Sequence, residues 1–180
     1  MKTVQPIREL EKIEEMKEAL MRQHYRNYFL FVLGINTGLR ISDLLALRVS
    51  DVREKSHIII TEQKTGKMKR FKINKELQQL INEFTINKND EENLFKSRRG
   101  NQHIKRIQAW KILNAAANEV GISEVGTHSL RKTFGYHFYQ KYKDVAVLQE
   151  IFNHSFPAVT MRYIGINQDI MDEKIDGFTL

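Results

Sequence analysis

The sequence predicts a mainly helical α+β protein with one small antiparallel β-sheet. Apolar residues recur at helical spacing through most of the chain, and at one place they alternate with basic residues around a glycine-containing turn. The chain has 180 residues, of which 41% are hydrophobic, so it can bury one sizeable core. Because it has only two prolines and no internal repeat, we expect a single domain over residues 1–180, with a C-terminal tail from about residue 166.

Helices are predicted for the first part of the chain. Residues 14–38 start amphipathic, become strongly apolar and stop at glycine, which predicts one helix that enters the core. Residues 41–52, ISDLLALRVSDV, predict a second and shorter helix, with Ser42 and Asp43 near its N-terminus.

A hairpin is the only β element that the sequence predicts clearly. Residues 57–63 form an apolar, β-branched run, and Phe71 and Ile73 alternate with basic residues further along. Between the two runs lies the segment KTGK, in which Gly66 suits a tight turn.

Five helical patterns and an amphipathic tail complete the chain. The helical patterns lie at residues 75–84, 104–121, 128–142, 145–154 and 158–165. In the tail, Ile170, Met171, Ile175 and Phe178 stand among acidic residues. These side chains either cap the protein's own core or pack on another molecule, and the sequence leaves both alternatives open.

The positive charge of the chain is concentrated in two stretches. The formal net charge is +7, and KTGKMKRFK and KSRRGNQHIKR each carry five basic residues and no acid. Localised positive charge is typical of proteins that contact nucleic acid phosphates. We therefore expect a nucleic acid as the partner, with phosphate contacts from Lys67, Lys69, Arg70, Arg98, Arg99, Lys105 and Arg106.

Several classes of protein are not supported by the sequence. No apolar segment approaches the length of a membrane span, and the charged N-terminus does not resemble a signal peptide. The chain has no cysteine and no helical pair of zinc-binding histidines, and it lacks a phosphate-binding glycine loop. We expect a cytoplasmic protein, without cofactor or metal.

Six residues have the chemistry needed for phosphoryl transfer without a metal ion: Arg40, Lys64, His128, Arg131, His154 and Tyr163. Two guanidiniums can hold the equatorial oxygens of a phosphodiester under attack, a geometry that a lysine does not reproduce. The phenol of Tyr163 can act as the nucleophile, and Lys64 in the hairpin turn can protonate the leaving oxygen.

The chain resembles the catalytic domain of the tyrosine recombinases, the phage integrase family, over about residues 5–170. The family's arginine motif matches TGLRISDLL at Arg40, with Asp43 at the position of a supporting acid, and the hairpin lysine matches Lys64. The His-x-x-Arg motif matches His128 and Arg131, the second histidine matches His154, and the nucleophile matches Tyr163.

The resemblance implies a function and assigns roles. It implies cleavage and rejoining of double-stranded DNA in site-specific recombination or integration, through a covalent 3′-phosphotyrosyl intermediate, in a bacterium or a phage-infected cell. Arg40, Arg131 and His154 would hold the phosphate, and His128 would assist proton movement at the nucleophile. Family members work as tetramers on two DNA sites, so the C-terminal tail is a candidate contact between protomers.

Two departures from the family pattern keep an alternative open. Asn153 stands where the family usually has glycine, although asparagine tolerates the left-handed backbone of such a turn. Family members usually carry an N-terminal core-binding domain, which we expect to be absent from this chain and to come from a longer protein or an accessory protein. The alternative function is a DNA-binding regulator that retains the recombinase fold without productive strand exchange.

Overall fold

The computed structural model describes residues 4–179 and confirms the predicted fold class, helices with a two-stranded antiparallel sheet. The described elements run over Leu10–Gln23 (α1), Tyr25–Thr37 (α2), Ile41–Leu45 (α3), His57–Thr61 (β1), Met68–Lys72 (β2), Lys75–Thr85 (α4), Arg106–Glu119 (α5), Ser129–Tyr142 (α6), Val145–Phe152 (α7), Pro157–Ile164 (α8) and Ile166–Asp176 (α9). No helix within these described residues is long and apolar enough to cross a membrane.

Helix α2 lies at the centre of the main core. Its residues 29–34 are buried almost completely, and it packs against α1, α4 and α6. The rings of Phe29 and Phe84 stack with centroids 4.0 Å apart, which joins α2 to α4. Because α2 ends at the segment TGLR, this rigid packing determines where Arg40 lies.

The single helix predicted over residues 14–38 is wrong, because the chain breaks at His24. His24 has an extended backbone (φ −179°, ψ 139°), and its Nδ1 accepts a hydrogen bond of 3.0 Å from the backbone N–H of Arg26. The break allows α1 to fold back and pack against α2. Apolar periodicity continues through the break, so the pattern alone did not reveal it.

The second predicted helix is also shorter than expected. Helix α3 ends at Leu45, and residues 49–51 form a single 3₁₀ turn. The backbone of this segment bonds instead to a distant loop: Leu94 N–H donates to the Leu47 carbonyl (2.8 Å), and Val49 N–H donates to the Glu92 carbonyl (3.0 Å). These long-range bonds replace the helical bonds that the local sequence favours.

The predicted hairpin is confirmed. Its strands pair from His57 with Lys72 to Thr61 with Met68, and Gly66 in the turn has a positive φ of 66°. Ile58 and Phe71 face each other across the sheet and are buried in the main core. These two side chains therefore anchor the hairpin in the core, while Lys64, Gly66 and Lys67 in its turn are exposed.

A second, smaller apolar cluster supports the C-terminal helices. Leu148, Phe152, Ile164 and Ile166 are buried there, between α7, α8 and the start of α9. The tail itself is only partly covered. An ion pair of 2.9 Å between Arg8 and Asp169 holds α9 in place.

The apolar side chains of the tail do not cap the core. Ile175 and Phe178 are 68% and 67% exposed, and Ile170 and Met171 are also exposed. Of the two alternatives left by the sequence, packing on another molecule is the one that this exposure favours.

Candidate active site

Arg131 lies at the centre of the candidate site and is almost completely buried. Its guanidinium donates hydrogen bonds to the carbonyl oxygens of Gly38, at the end of α2, and Phe152, at the end of α7. The guanidinium carbon also lies 4.3 Å from the centroid of the Phe152 ring. Burial lowers the pKa of Arg131 to about 10, and the neighbouring Arg40 contributes to the decrease. The side chain therefore remains positively charged at neutral pH and is held rigidly.

Arg40 points inward, toward the buried carboxylate of Glu62. It precedes α3 in an extended conformation (φ −65°, ψ 145°), and its side chain is 17% exposed. Its guanidinium forms an ion pair with the carboxylate of Glu62, which is buried. The turn that places Arg40 depends on Gly38, which has a left-handed backbone with φ of 65°.

Asp43, in α3, binds the hairpin at the residue that precedes Lys64. Asp43 is buried, and its Oδ1 accepts a hydrogen bond of 3.0 Å from the backbone N–H of Gln63. Lys64 follows in the turn and is exposed. Its charge contributes to lowering the pKa of both His128 and His154, so Lys64 lies in the same electrostatic environment as the two histidines.

His154 is presented by a left-handed turn at the end of α7. Asn153 adopts φ 55° and ψ 47°, as expected for the residue in the glycine position of the family. The Nδ1 atom of His154 lies 3.0 Å from the hydroxyl oxygen of buried Thr160, which leaves Nε2 for another partner. Burial lowers the pKa of His154, and Arg131 and Arg40 lower it further, so the ring is neutral at neutral pH.

Tyr163 lies beside this histidine. Its ring centroid is 5.2 Å from that of His154 and 5.5 Å from that of Phe152, in edge-to-face geometry. Burial raises the pKa of the phenol, while the charges of Arg131 and Arg40 act in the opposite direction. The hydroxyl is therefore protonated in the free protein and lies within the field of both guanidiniums.

His128 immediately precedes α6 and is exposed at the surface. Partial desolvation lowers its pKa, and the nearby cations, first Arg106 and then Lys132, lower it further. A neutral imidazole at this position can accept a proton.

The residues predicted to contact DNA fall into several groups. On the hairpin, Lys67 Nζ donates to the side-chain oxygen of Asn153 (3.1 Å), and Lys69 Nζ donates to the Glu150 carbonyl. Arg70 is exposed and lies 3.2 Å from a ring nitrogen of His57.

The second basic stretch is divided between two locations. Arg106, at the start of α5, affects His128 electrostatically, whereas Arg98 affects His24 and Arg26 at the other end of α2. Arg99 and Lys105 are exposed. The structure thus brings Arg106 and the hairpin to the candidate site and places Arg98 at a different part of the surface.

Three residues that the sequence interpretation missed contribute to the site. Glu62 contacts Arg40, Thr65 donates its hydroxyl to Glu62 (2.6 Å), and Thr160 contacts His154. Glu62 stands two residues before Lys64, just ahead of the acid-free basic stretch, and this was the one sequence signal that pointed to it. No group of three or more potential metal-ligating side chains occurs among residues 4–179.

Comparison with known proteins supports the resemblance found in the sequence. The sequence pattern of the phage integrase family matches residues 8–169. The probable integrase/recombinase YoeC of Bacillus subtilis is 55% identical over 169 residues, which cover 94% of this chain and 93% of YoeC.

Solved structures of recombinases have the same fold. The crystal structure of XerA recombinase superposes with a TM-score of 0.77 at 21% identity, and the match covers 97% of this chain but 64% of that one. XerH site-specific recombinase bound to its difH substrate superposes with a TM-score of 0.71 at 23% identity, covering 90% of this chain and 51% of that one. The chain thus spans only about half to two thirds of these structures. The family match over most of its length shows that the chain belongs to the phage integrase family of tyrosine recombinases.

Proposed function

We propose that this protein cleaves and rejoins DNA strands in site-specific recombination or integration. The observation that supports this most strongly is the position of Tyr163, whose phenol lies beside His154 and within the field of Arg40 and Arg131. A phenol surrounded by phosphate-binding side chains is suited to attack a phosphodiester and form a covalent intermediate.

In the cleavage step, the Tyr163 oxygen attacks the phosphorus and the bond from phosphorus to the 5′ oxygen breaks. His128 accepts the phenolic proton, and Lys64 donates a proton to the leaving oxygen. The products are a 3′-phosphotyrosyl link and a free 5′-hydroxyl. Attack by a 5′-hydroxyl from another strand reverses the step, which regenerates the phenol and joins the strands.

The electrostatics of the free protein agree with these roles. The lowered pKa of His128 makes the ring neutral and able to accept a proton, and the raised pKa of Tyr163 means that the phenol requires such a base. Two buried carbonyls hold Arg131 in advance, so little reorganisation is needed when charge develops on the phosphate.

The exposed tail is proposed to join protomers on DNA. Ile170, Met171, Ile175 and Phe178 present apolar surface that no other described part of the chain covers. A second copy of the protein bound at an adjacent DNA site is the partner that strand exchange requires.

The proposal is tested by trapping the covalent intermediate. Duplexes of randomised sequence carry a nick, and where this nick lies a few nucleotides 3′ of the scissile phosphate, the released short strand with its 5′-hydroxyl diffuses away and the adduct accumulates. Wild-type protein should give an adduct that survives denaturant, and EDTA should not prevent it because guanidiniums and lysine supply the positive charge. Tyr163→Phe should give no adduct while retaining DNA binding.

The matched control is Tyr142→Phe, which alters an exposed tyrosine at the end of α6, outside the candidate site. It should form the adduct normally. An adduct from the Tyr163→Phe variant would refute the nucleophile assignment. A DNA-binding regulator would instead bind DNA tightly, form no adduct in any variant and keep its effect in the host when Tyr163 is replaced.

A further inference from the structure

Glu62 is a buried carboxylate that contacts both Arg40 and the hairpin turn that carries Lys64. One of its oxygens, Oε1, forms an ion pair with the guanidinium of Arg40, and the other, Oε2, accepts a hydrogen bond of 2.6 Å from the hydroxyl of Thr65. Only 1% of the Glu62 side chain is exposed. Such a charge is costly to bury unless its partners are well placed, so its position is defined closely by those two contacts.

The backbone of Glu62 also closes the loop that carries Lys64. Its N–H donates to the Lys67 carbonyl (2.9 Å), and its carbonyl accepts from the N–H groups of Thr65 (3.3 Å) and Gly66 (2.8 Å). The neighbouring N–H, that of Gln63, is bound by Asp43 (3.0 Å). Lys64 itself is exposed, so the loop conformation, rather than packing, determines where its ammonium group lies.

We propose that Glu62 is a positioning residue that couples the phosphate-binding Arg40 to the loop of the proton donor Lys64. This inference rests on the proposed function. Oε1 orients the guanidinium, and Oε2 acts through the Thr65 hydroxyl to hold the loop. A single carboxylate thereby sets the distance between the group that binds the phosphate and the group that protonates the 5′ oxygen when the bond from phosphorus to that oxygen breaks.

The coupling can be tested with two substrates that differ in one atom. In the first, the leaving atom is the ordinary 5′ oxygen, which needs a proton from Lys64. In the second, sulfur replaces this bridging oxygen, and the leaving thiolate is stable without a proton because thiols have a pKa of about 8.5. Both substrates use a duplex selected by covalent capture with the wild-type protein, and adduct formation is measured in single turnovers at saturating protein.

Thr65→Val removes the hydroxyl that binds Glu62 and leaves the Arg40 ion pair in place. We expect it to slow cleavage of the oxygen substrate about 10-fold or more, because a misplaced catalytic group loses much of its effect. Cleavage of the sulfur substrate should stay within about 2-fold of wild type, since it bypasses the proton donor. Lys64→Ala should show the same pattern with a larger loss on oxygen.

Glu62→Gln removes the charge that orients Arg40, so it should slow cleavage of both substrates. Thr61→Val is the matched control, because Thr61 is an exposed threonine of the same hairpin whose side chain makes no hydrogen bond within residues 4–179. It should behave like wild type on both substrates. Urea unfolding of each variant shows whether the fold persists.

Four results would decide against the proposal. Equal slowing of Thr65→Val on both substrates would mean that Thr65 does not act through the proton donor, and no slowing on either would mean that the loop needs no such contact. Loss of only the oxygen reaction in Glu62→Gln would refute the action on Arg40. A wild-type protein that forms adduct with neither substrate would contradict the proposed function itself, which separates that failure from the other three.

Discussion

Substitution of Gly38 by alanine tests how the end of α2 determines the geometry of the site. Gly38 has φ of 65°, a conformation that costs a residue with a Cβ atom roughly 1–2 kcal/mol. A Cβ atom at this position would also lie within 2.9 Å of three ring atoms of Phe134, and overpacking of this kind costs about 1–3 kcal/mol. We therefore expect Gly38→Ala to lower the free energy of unfolding by about 2–5 kcal/mol.

The measurement is urea unfolding followed by circular dichroism, with Gly121→Ala as the matched control. Gly121 also follows a helix and has a positive φ of 73°, but a Cβ atom there would have no neighbour within 4 Å. The control should lose only about 1–2 kcal/mol, the backbone contribution. The double variant Gly38→Ala, Phe134→Leu should regain part of the difference, because leucine removes the ring atoms that clash.

The catalytic consequence follows from the contact between Gly38 and Arg131. The Gly38 carbonyl accepts a hydrogen bond from the Arg131 guanidinium, so a displaced backbone moves that side chain. Adduct formation by Gly38→Ala should fall even under conditions where the variant is fully folded. Equal destabilisation of the Gly38 and Gly121 variants would refute the close-contact argument, and normal adduct formation by folded Gly38→Ala would refute the link to Arg131.

Three further predictions concern DNA binding, pH and assembly. Arg70→Glu combined with Arg106→Glu should reduce the slope of log affinity against log salt concentration by about 2, since each lost phosphate contact removes about 0.9. The control is Lys55→Glu, which lies outside both basic stretches. An unchanged slope, or an equal effect of the control, would mean that the DNA follows another path. The pKa of His154 is lowered in the folded protein, so the unfolded chain binds more protons just below pH 6.5 and stability should fall as the pH decreases through that region. His154→Gln should flatten this decrease in urea titrations at several pH values, and an identical pH profile would contradict the assignment. Ile175→Glu should weaken assembly of protomers on DNA, measured by sedimentation, while leaving the unfolding free energy of the monomer within about 0.5 kcal/mol; unchanged assembly would exclude the tail as the contact.

The sequence was sufficient for the features that depend on local pattern. The hairpin followed from its alternation and from Gly66, and helices α4 to α8 followed from apolar residues at helical spacing. The left-handed conformation of Asn153 was also predictable, because few other residues with a side chain adopt it easily. The six candidate site residues were identified from their order and type, since their chemistry matches that of one family.

Local pattern failed where distant contacts compete with it. The break at His24 occurs because α1 packs back on α2. Helix α3 ends early because residues 47–49 form backbone hydrogen bonds with residues 92–94, which are far away in the sequence. The sequence predicts only that Lys69 contacts DNA, yet its Nζ donates a hydrogen bond to the Glu150 carbonyl, 81 residues away.

The arrangement of the candidate site depends on the tertiary structure in the same way. Arg40 and Arg131 are 91 positions apart in the chain. The carboxylate of Glu62 orients Arg40 and the carbonyl of Gly38 orients Arg131, but only after α2, α6 and the hairpin have packed together. Residue type and spacing specify which side chains can do the chemistry. Their distances, burial and charge partners arise from packing between separate elements, because hydrogen bonds and ion pairs act between atoms that are close in space, whatever their separation in sequence.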